Sequence, residues 1–243
     1  MTTALPVRIG FASTAYGPLW RPAVDSWLRV VAYTQRTLME SHRGTLCAIG
    51  LTDRTYTHSA SNRLVEDFLG DPTLTHLFHT EMDMLLPDDC ILKLLALDKP
   101  IASGVYFLRN GNGQPCLYRR AVSMGKDVYG MTPVNLYPQT QPFVLKGCPG
   151  LGCLLFQRAV FETMPYPWFD LKEGHYGSDI YFFTNALKAQ IDTWVDPTVR
   201  CGQIEYKIWQ HEDYLARLKN DPTFAGSGYL LGSDAEGFHD ARP

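Results

Sequence analysis

The chain of 243 residues is long enough to bury a substantial core in one large domain. Apolar residues make up 45% of it and charged residues 19%, a globular balance that excludes extended disorder. The formal net charge of −3, with no long block of Lys or Arg, argues against a nucleic-acid partner.

The sequence carries no signal that directs it into or across a membrane. The N-terminal residues lack the basic and apolar regions of a signal peptide. No run approaches the roughly 18 apolar residues that span a bilayer. We therefore expect a cytoplasmic protein without a transmembrane segment.

The six cysteines form no C-x-x-C pair, so reduced, buried thiols are expected rather than a disulfide framework or a zinc site.

Strand and helix patterns alternate in the first half of the chain. Short apolar runs predict strands, and apolar residues at helical spacing predict helices between them. The predicted strands are 7–12, 45–51, 74–79 and 101–108, and the predicted helices are 22–39, 58–69 and 90–97. This order predicts an α/β fold with a mostly parallel, Rossmann-like sheet flanked by helices on both faces.

The alternation lapses in the second half. Residues 109–146 are rich in Gly, Pro and Asn, which predicts an irregular excursion with room for a hairpin. A buried strand at 151–157, a short helix, a helix at 178–189 and a short strand at 193–195 follow. We predict one domain over 1–219, with a nucleotide-binding half (1–108) and an acceptor-side half (109–219). A mobile tail over 220–243 is predicted from its Gly, Ser and Asp content.

Two acidic residues, Glu81 and Asp83, directly follow the third predicted strand. Ligands of open α/β sheets bind beyond the carboxyl ends of the strands. In an extended segment the two side chains point to the same side, and a hard divalent ion prefers such oxygen ligands together with substrate phosphates. Paired acids near a strand end are also common in solvated loops, so the pair alone leaves both readings open.

Four sequence segments, one of which contains this pair, follow one another along the chain. They are THLFHTEMDMLLPDDC, KPIASGVYFLR, GCPGLGCLLFQRAVF and GSDIYFF. Over about residues 5–205 this order resembles the GT-A-fold glycosyltransferases of the nucleotide-diphosphosugar transferase superfamily, especially the family 2-like group. In that family an acidic D-x-D-type motif ends a strand, and a later acidic residue opens a helix.

The resemblance implies an enzyme that transfers a hexose-type sugar from a UDP- or GDP-sugar to a glycan or other hydroxyl acceptor, with Mn²⁺ or Mg²⁺. It assigns Asp83 to the metal and Glu81 to the ribose or a metal-bound water. It assigns Asp179 to the catalytic base of an inverting mechanism, with retention left open. Ser178 stands where the family has an acid. The alternative for Asp179 is a carboxylate stabilised by the helix dipole.

The resemblance also implies further ligands. Gln203 stands where many relatives supply a histidine to the metal, and His211 is a second candidate for that ligand. The residues implied at the nucleotide-sugar, besides Glu81, are Ser13, Thr14, Asp53, Asn62 and Gly150. For Asn62 a helix-surface position is an equal alternative, and for Gly150 a tight turn.

On the acceptor side, Trp168, Phe169 and Asp170 are candidates for a shelf that holds the acceptor, although the two aromatic residues equally suit a core. Two rival functions remain. A nucleotidyltransferase normally has a Gly-rich, basic loop after the first strand, whereas residues 13–18 contain one Gly and no basic residue. A non-catalytic sugar- or nucleotide-binding module is suggested by the departures at Gln203 and Ser178.

Overall fold

A computed structural model describes residues 6–52, 54–109, 113–125, 128–137, 139–171, 177–205, 208–220 and 229–230. The elements of the first half, in chain order, are β1 (Val7–Thr14), α1 (Arg21–Glu40), β2 (Gly44–Thr52), α2 (Thr57–Gly70), β3 (His76–Glu81), β4 (Met84–Leu85), α3 (Cys90–Ala96) and β5 (Ile101–Val105). All predicted strands and helices of this half are present, with ends that differ by a few residues.

The elements of the second half are β6 (Tyr118–Gly125), β7 (Val128–Asn135), β8 (Phe143–Leu145), β9 (Gly147–Cys148), β10 (Cys153–Gln157), α4 (Arg158–Thr163), α5 (Ser178–Lys188), β11 (Thr193–Arg200), β12 (Gly202–Ile204), β13 (Ile208–Trp209), α6 (His211–Asn220) and β14 (Tyr229–Leu230). The predicted hairpin in the excursion is the antiparallel pair β6–β7. The predicted tail lies outside the described residues except for Asn220 and β14, which pairs with β7.

The central sheet has seven strands in the order β2-β1-β3-β10-β5-β11-β8. β1 is parallel to β2 and β3, and β5 is parallel to β11. β10 is antiparallel to both of its neighbours and β8 is antiparallel to β11. Five strands therefore run in one direction and two in the other, which confirms the predicted α/β class with a mostly parallel sheet.

Helices cover both faces of this sheet because the apolar side chains of its strands alternate. Phe78 of β3 packs in a core with Trp27 of α1 and Ile91 of α3. The neighbouring Leu77 points to the other face, in a core that contains Phe68 of α2 and residues of α4 and α5. Period-two burial of strand residues thus gives a layer of helices on each side.

β11 is longer than predicted. It continues through Pro197 to Arg200, with an irregularity in its register to β5 between Val195 and Arg200. A proline has no N–H for the ladder, so its place at such an irregularity is physically consistent. Beyond β11, β12 pairs with β4 of the first half.

Of the helices in the described ranges, none combines the length and apolar character needed to cross a bilayer.

Candidate active site

The carboxyl ends of the parallel strands converge on one edge of the central sheet. β3 ends there at Glu81, and the chain leaves β5 there through Tyr106 to Arg109. Because β10 runs in the opposite direction, its first residue and the preceding Leu151 lie at this same edge. This topology gathers charged and aromatic side chains from distant parts of the sequence.

The Glu81-Asp83 pair is held by backbone hydrogen bonds on both sides. The N–H of Met82 donates to the carbonyl of Thr14 at 3.1 Å, and the N–H of Ile204 donates to the carbonyl of Asp83 at 2.8 Å. The β4–β12 ladder aligns Gln203 with Met84, the residue after Asp83. The segment is therefore fixed between β1 and β12, and Asp83 is 2% exposed.

Asp83 has two partners through the same carboxylate oxygen. Arg109 Nη1 lies 2.9 Å from Asp83 Oδ2, and Gln203 Nε2 donates to Oδ2 at 3.4 Å. Arg109 also donates to the Tyr16 hydroxyl at 3.4 Å. The structure thus places Gln203 beside Asp83, as the predicted third-ligand position requires, but with its amide nitrogen toward the carboxylate.

The electrostatics of the pair reflect crowded negative charge. Burial, with Asp83 and Asp179 nearby, raises the pKa of Glu81 from an ordinary 4.5 to about 8, against a lowering contribution from Arg109. Burial also raises the pKa of Asp83, and Arg109 and Gln203 oppose this. The site therefore favours a ligand that brings positive charge, which lowers the cost of ionising Glu81.

Asp179 lies in the first turn of α5, a position in which a carboxylate is stabilised by the helix dipole. Its Oδ1 accepts from the N–H of Ile180 at 2.8 Å, and Oδ2 accepts from the Cys148 thiol at 3.5 Å. A Cβ at the preceding Gly177 would overlap Asp179 Oδ1, so glycine there leaves the room that this carboxylate occupies. Burial, and next the Asp179 charge, raise the pKa of Cys148, which keeps the thiol protonated as a donor.

Glu81, Asp179, Arg109 and Gln203 all line one cavity of about 670 Å³. This volume is in the range of small-molecule sites. The remaining lining residues are Tyr56, Thr57, His58, Tyr106, Leu108, Cys116, Leu151, Leu171, Gly177 and Ser178. Tyr56 is 77% exposed and stacks on the His58 ring at 5.8 Å, forming part of the rim. The structure thus brings the predicted base, Asp179, and the first acid of the predicted motif, Glu81, together in one cavity, with the buried Asp83 beside it.

Gly150 packs against two of the residues that line this cavity. Its φ of +71° is a left-handed conformation that favours glycine, and a Cβ there would overlap the Tyr106 hydroxyl. Tyr106 and Cys116 are buried lining residues. The predicted close approach of the backbone at Gly150 is therefore made to Tyr106 and Cys116.

The predicted nucleotide-contacting residues Ser13 and Thr14 are the last two residues of β1, and both are buried. The Ser13 hydroxyl lies 3.5 Å from the neighbouring carbonyl of Thr14, which also accepts from the N–H of Met82. Contact of these two residues with the donor stays a prediction. Asp53, the predicted partner of the base, lies outside the described residues.

Asn62 has a structural role. Its Nδ2 donates to the carbonyl of Phe169 at 2.7 Å, and its Oδ1 accepts from the N–H groups of Trp168 and Phe169, both at 3.1 Å. The amide thus holds the chain in place after the loop that follows α4. Asn62 also lines the second cavity described below, and its contact with the donor stays a prediction.

Trp168 is not an exposed shelf for the acceptor. It is 7% exposed, its Nε1 donates to the carbonyls of Phe161 and Met164, and its ring packs edge-on against Phe161. The core reading of this aromatic is the right one. Asp170 lines a second cavity of about 600 Å³, which shares His58 with the first.

His211, the second candidate for a metal ligand, lies outside the residues that line the first cavity. Its ring packs on Phe107 at 5.8 Å and on Tyr214 at 6.0 Å. Burial, and next the charge of Arg200, lower its pKa. Within the described ranges, no three His, Cys, Asp or Glu side chains are grouped as a metal site.

Arg109 is not among the site residues predicted from the sequence, although its position in the sequence could have indicated it. It is the charged residue directly after the fourth predicted strand, at the edge where ligands are expected. The contact of Cys148 with Asp179 had no comparable signal, because these residues come from separate segments joined only by the fold.

No family model matches the sequence. No curated protein matches it either.

Two solved structures are similar to the chain in fold. The crystal structure of A197 from STIV has a TM-score of 0.57 at 17% identity, over 82% of this chain and 86% of that one. The GT-A glycosyltransferase GalNAc-T7, crystallised with UDP, GalNAc and Mn2+, has a TM-score of 0.54 at 12% identity, over 88% of this chain and 48% of that one. The chain therefore has a GT-A-like fold, with a mostly parallel sheet flanked by helices, as the resemblance implied.

Proposed function

We propose that this chain is a glycosyltransferase that moves a hexose-type sugar from a nucleotide-diphosphosugar to an acceptor hydroxyl. The observation that carries the proposal is the cavity in which Asp179, Glu81 and Arg109 meet beside Asp83, at the carboxyl edge of the sheet. The UDP bound to GalNAc-T7, a protein of similar fold, supports a UDP-sugar as the first donor to test.

The proposed reaction is a displacement at the anomeric carbon with inversion. The Asp179 carboxylate accepts the proton of the acceptor hydroxyl while that oxygen forms a bond to the anomeric carbon. The bond from this carbon to the diphosphate oxygen breaks, and the nucleoside diphosphate leaves with the electron pair. Gly177, the N–H of Ile180 and the Cys148 thiol hold the Asp179 carboxylate in place.

The residues present fit a divalent cation that is completed by the substrate. Glu81 and Asp83 offer two carboxylates, and Mg²⁺ in proteins is usually held by one or two carboxylates plus phosphates and water. The Gln203 side chain, 5% exposed beside Asp83, supplies an amide oxygen if its amide turns. Mn²⁺ or Mg²⁺ held there supplies neutralisation of the charge that develops on the leaving diphosphate.

Two exposed residues at the rim of the cavity replace the buried Trp168 as the proposed acceptor contacts. Tyr56 and Leu171 line the cavity and are 77% and 55% exposed. Such apolar faces suit the C–H surfaces of a sugar ring. Asp170 remains a proposed acceptor residue in the adjoining cavity, which is reached across His58.

Substitution of Asp179 by Asn tests the proposal, because it removes the base and keeps the shape of the side chain. We expect UDP-sugar or GDP-sugar binding by calorimetry within about threefold of wild type, and turnover reduced by at least about a hundredfold. Asp88→Asn, at a surface carboxylate paired with Arg29, is the matched control and should keep full activity. Wild-type turnover in the Asp179 variant refutes the assignment of the base.

The non-catalytic alternative is favoured by one observation, the engagement of Asp83 by Arg109 and Gln203. A binding module would show nucleotide-dependent stabilisation against thermal unfolding but no release of nucleoside diphosphate from any donor. The two measurements together separate it from an enzyme.

A further inference from the structure

Arg109 is the only Lys or Arg among the described residues that line the active-site cavity. It follows β5 and reaches Asp83, which follows β3, so the ion pair joins two strand ends of the central sheet. None of the predicted catalytic roles uses it.

The geometry of this pair sets up a competition. Asp83 Oδ2 accepts from Arg109 Nη1 at 2.9 Å and from Gln203 Nε2 at 3.4 Å. A divalent ion binds carboxylate oxygens directly and carries the same sign of charge as the guanidinium. This oxygen already accepts two hydrogen bonds, and the ion and Arg109 bring charge of the same sign to one carboxylate, so the binding of either weakens the hold of the other.

The two partners differ in their freedom to move. The Asp83 side chain is 3% exposed and its backbone is fixed by β12, whereas the Arg109 side chain is 42% exposed. If the ion pair breaks, we expect the Arg109 side chain to move and the Asp83 side chain to stay in place. Its guanidinium then remains at the cavity, near Tyr16, where its planar group of N–H donors matches the geometry of phosphate oxygens.

We propose that Arg109 is an exchangeable cation of this site, which pairs with Asp83 in the ligand-free protein and with the diphosphate of the donor when a divalent ion takes its place on Asp83. This inference rests on the proposed function for the identity of the diphosphate. In this role Arg109 weakens the binding of the metal when no nucleotide is present, and it strengthens the binding of the nucleotide once the metal is bound.

The Arg109→Gln substitution should change the affinities for Mn²⁺ and for UDP in opposite directions. Without Arg109 the positive charge that competes for Asp83 is gone and only the neutral Gln203 amide remains, so Mn²⁺ alone, titrated without nucleotide and followed by electron paramagnetic resonance, should bind about tenfold more tightly than to wild type. With Mn²⁺ saturating, UDP measured by calorimetry should bind about tenfold more weakly, because a charge-assisted contact to the diphosphate is lost. Arg109→Lys keeps the charge and should lie between the two.

Two controls fix the interpretation. Arg29→Gln removes an arginine that pairs with Asp88 on the surface and should change neither affinity. Asp83→Asn should weaken Mn²⁺ binding in both the wild-type and the Arg109→Gln background, which places the ion at this carboxylate. Thermal unfolding verifies that each variant is folded.

Unchanged or weaker Mn²⁺ binding in Arg109→Gln overturns the proposal, as does undetectable Mn²⁺ binding in both proteins. Unchanged UDP affinity overturns the role at the diphosphate. Neither titration needs turnover. A protein that gives both expected shifts but cleaves no nucleotide-diphosphosugar would refute the proposed function and leave the exchange at Asp83 standing.

Discussion

The burial of Glu81, together with the neighbouring Asp83 and Asp179 carboxylates, predicts a pH-dependent loss of stability that one substitution removes. Glu81→Gln replaces a group whose pKa is raised to about 8 with a neutral group of similar shape. Below pH 4.5 both the folded and the unfolded chain hold the Glu81 proton, and its contribution to stability is fully present. Between pH 4.5 and about 8 the unfolded chain releases the proton and the folded chain keeps it, so wild-type stability falls as pH rises.

The size of this effect follows from the two pKa values. A difference of one pH unit in pKa corresponds to about 1.4 kcal/mol, so the rise at Glu81 corresponds to at most about 5 kcal/mol. Glu81 is only partly buried and faces a cavity open to water, and Arg109 offsets part of the repulsion. We therefore expect a measured change of about 2 kcal/mol across this window.

The assay is urea unfolding of both proteins in EDTA from about pH 5 to about pH 9, with the difference in unfolding free energy plotted against pH. The Glu81→Gln variant should gain about 2 kcal/mol relative to wild type between these limits. Glu40→Gln, at an exposed carboxylate at the end of α1, is the control and should give a flat difference. A flat difference for Glu81→Gln as well would refute the raised pKa of Glu81 that burial and the neighbouring carboxylates cause.

Three other substitutions test single structural roles. Gly177→Ala should displace the Asp179 carboxylate, lowering donor turnover about tenfold in a steady-state assay while the melting temperature changes little. Gly150→Ala should destabilise the protein by about 2 kcal/mol or more in urea unfolding, since its Cβ meets the Tyr106 hydroxyl at a positive φ. Asn62→Ala should cost about 2 kcal/mol in the same measurement and leave UDP affinity unchanged, whereas a large loss of affinity would support the predicted donor contact.

Much of the fold could be predicted because its helices and strands bury regular patterns of apolar residues. α1 and α2 show helical spacing, and β1 and β3 are short apolar runs between turn residues. The direction of β10 could not be read in this way. Its buried run, CLLFQ, would look the same in a parallel or an antiparallel strand, and only its pairing with β3 and β5 decides.

The site was predictable where function depends on strand ends and unpredictable where it depends on tertiary contacts. Glu81 and Asp83 lie at the expected edge, and Asp179 shares a cavity with Glu81. The sequence could not show that the Asn62 amide donates a hydrogen bond to the backbone carbonyl of Phe169. Nor could it show that Asp83 is paired with Arg109, since polar side chains reveal their partners only after the chain has folded.

The central claim, that this cavity cleaves a nucleotide-diphosphosugar, is tested most directly by the products. The protein with Mn²⁺ is incubated with a mixture of UDP-, GDP-, CDP- and dTDP-sugars, and released nucleotides are identified by mass spectrometry. We predict release of one nucleoside diphosphate by the wild-type protein and its loss in Asp83→Asn. No release from any donor, or release that is equal in the Asp83 variant, would contradict the account.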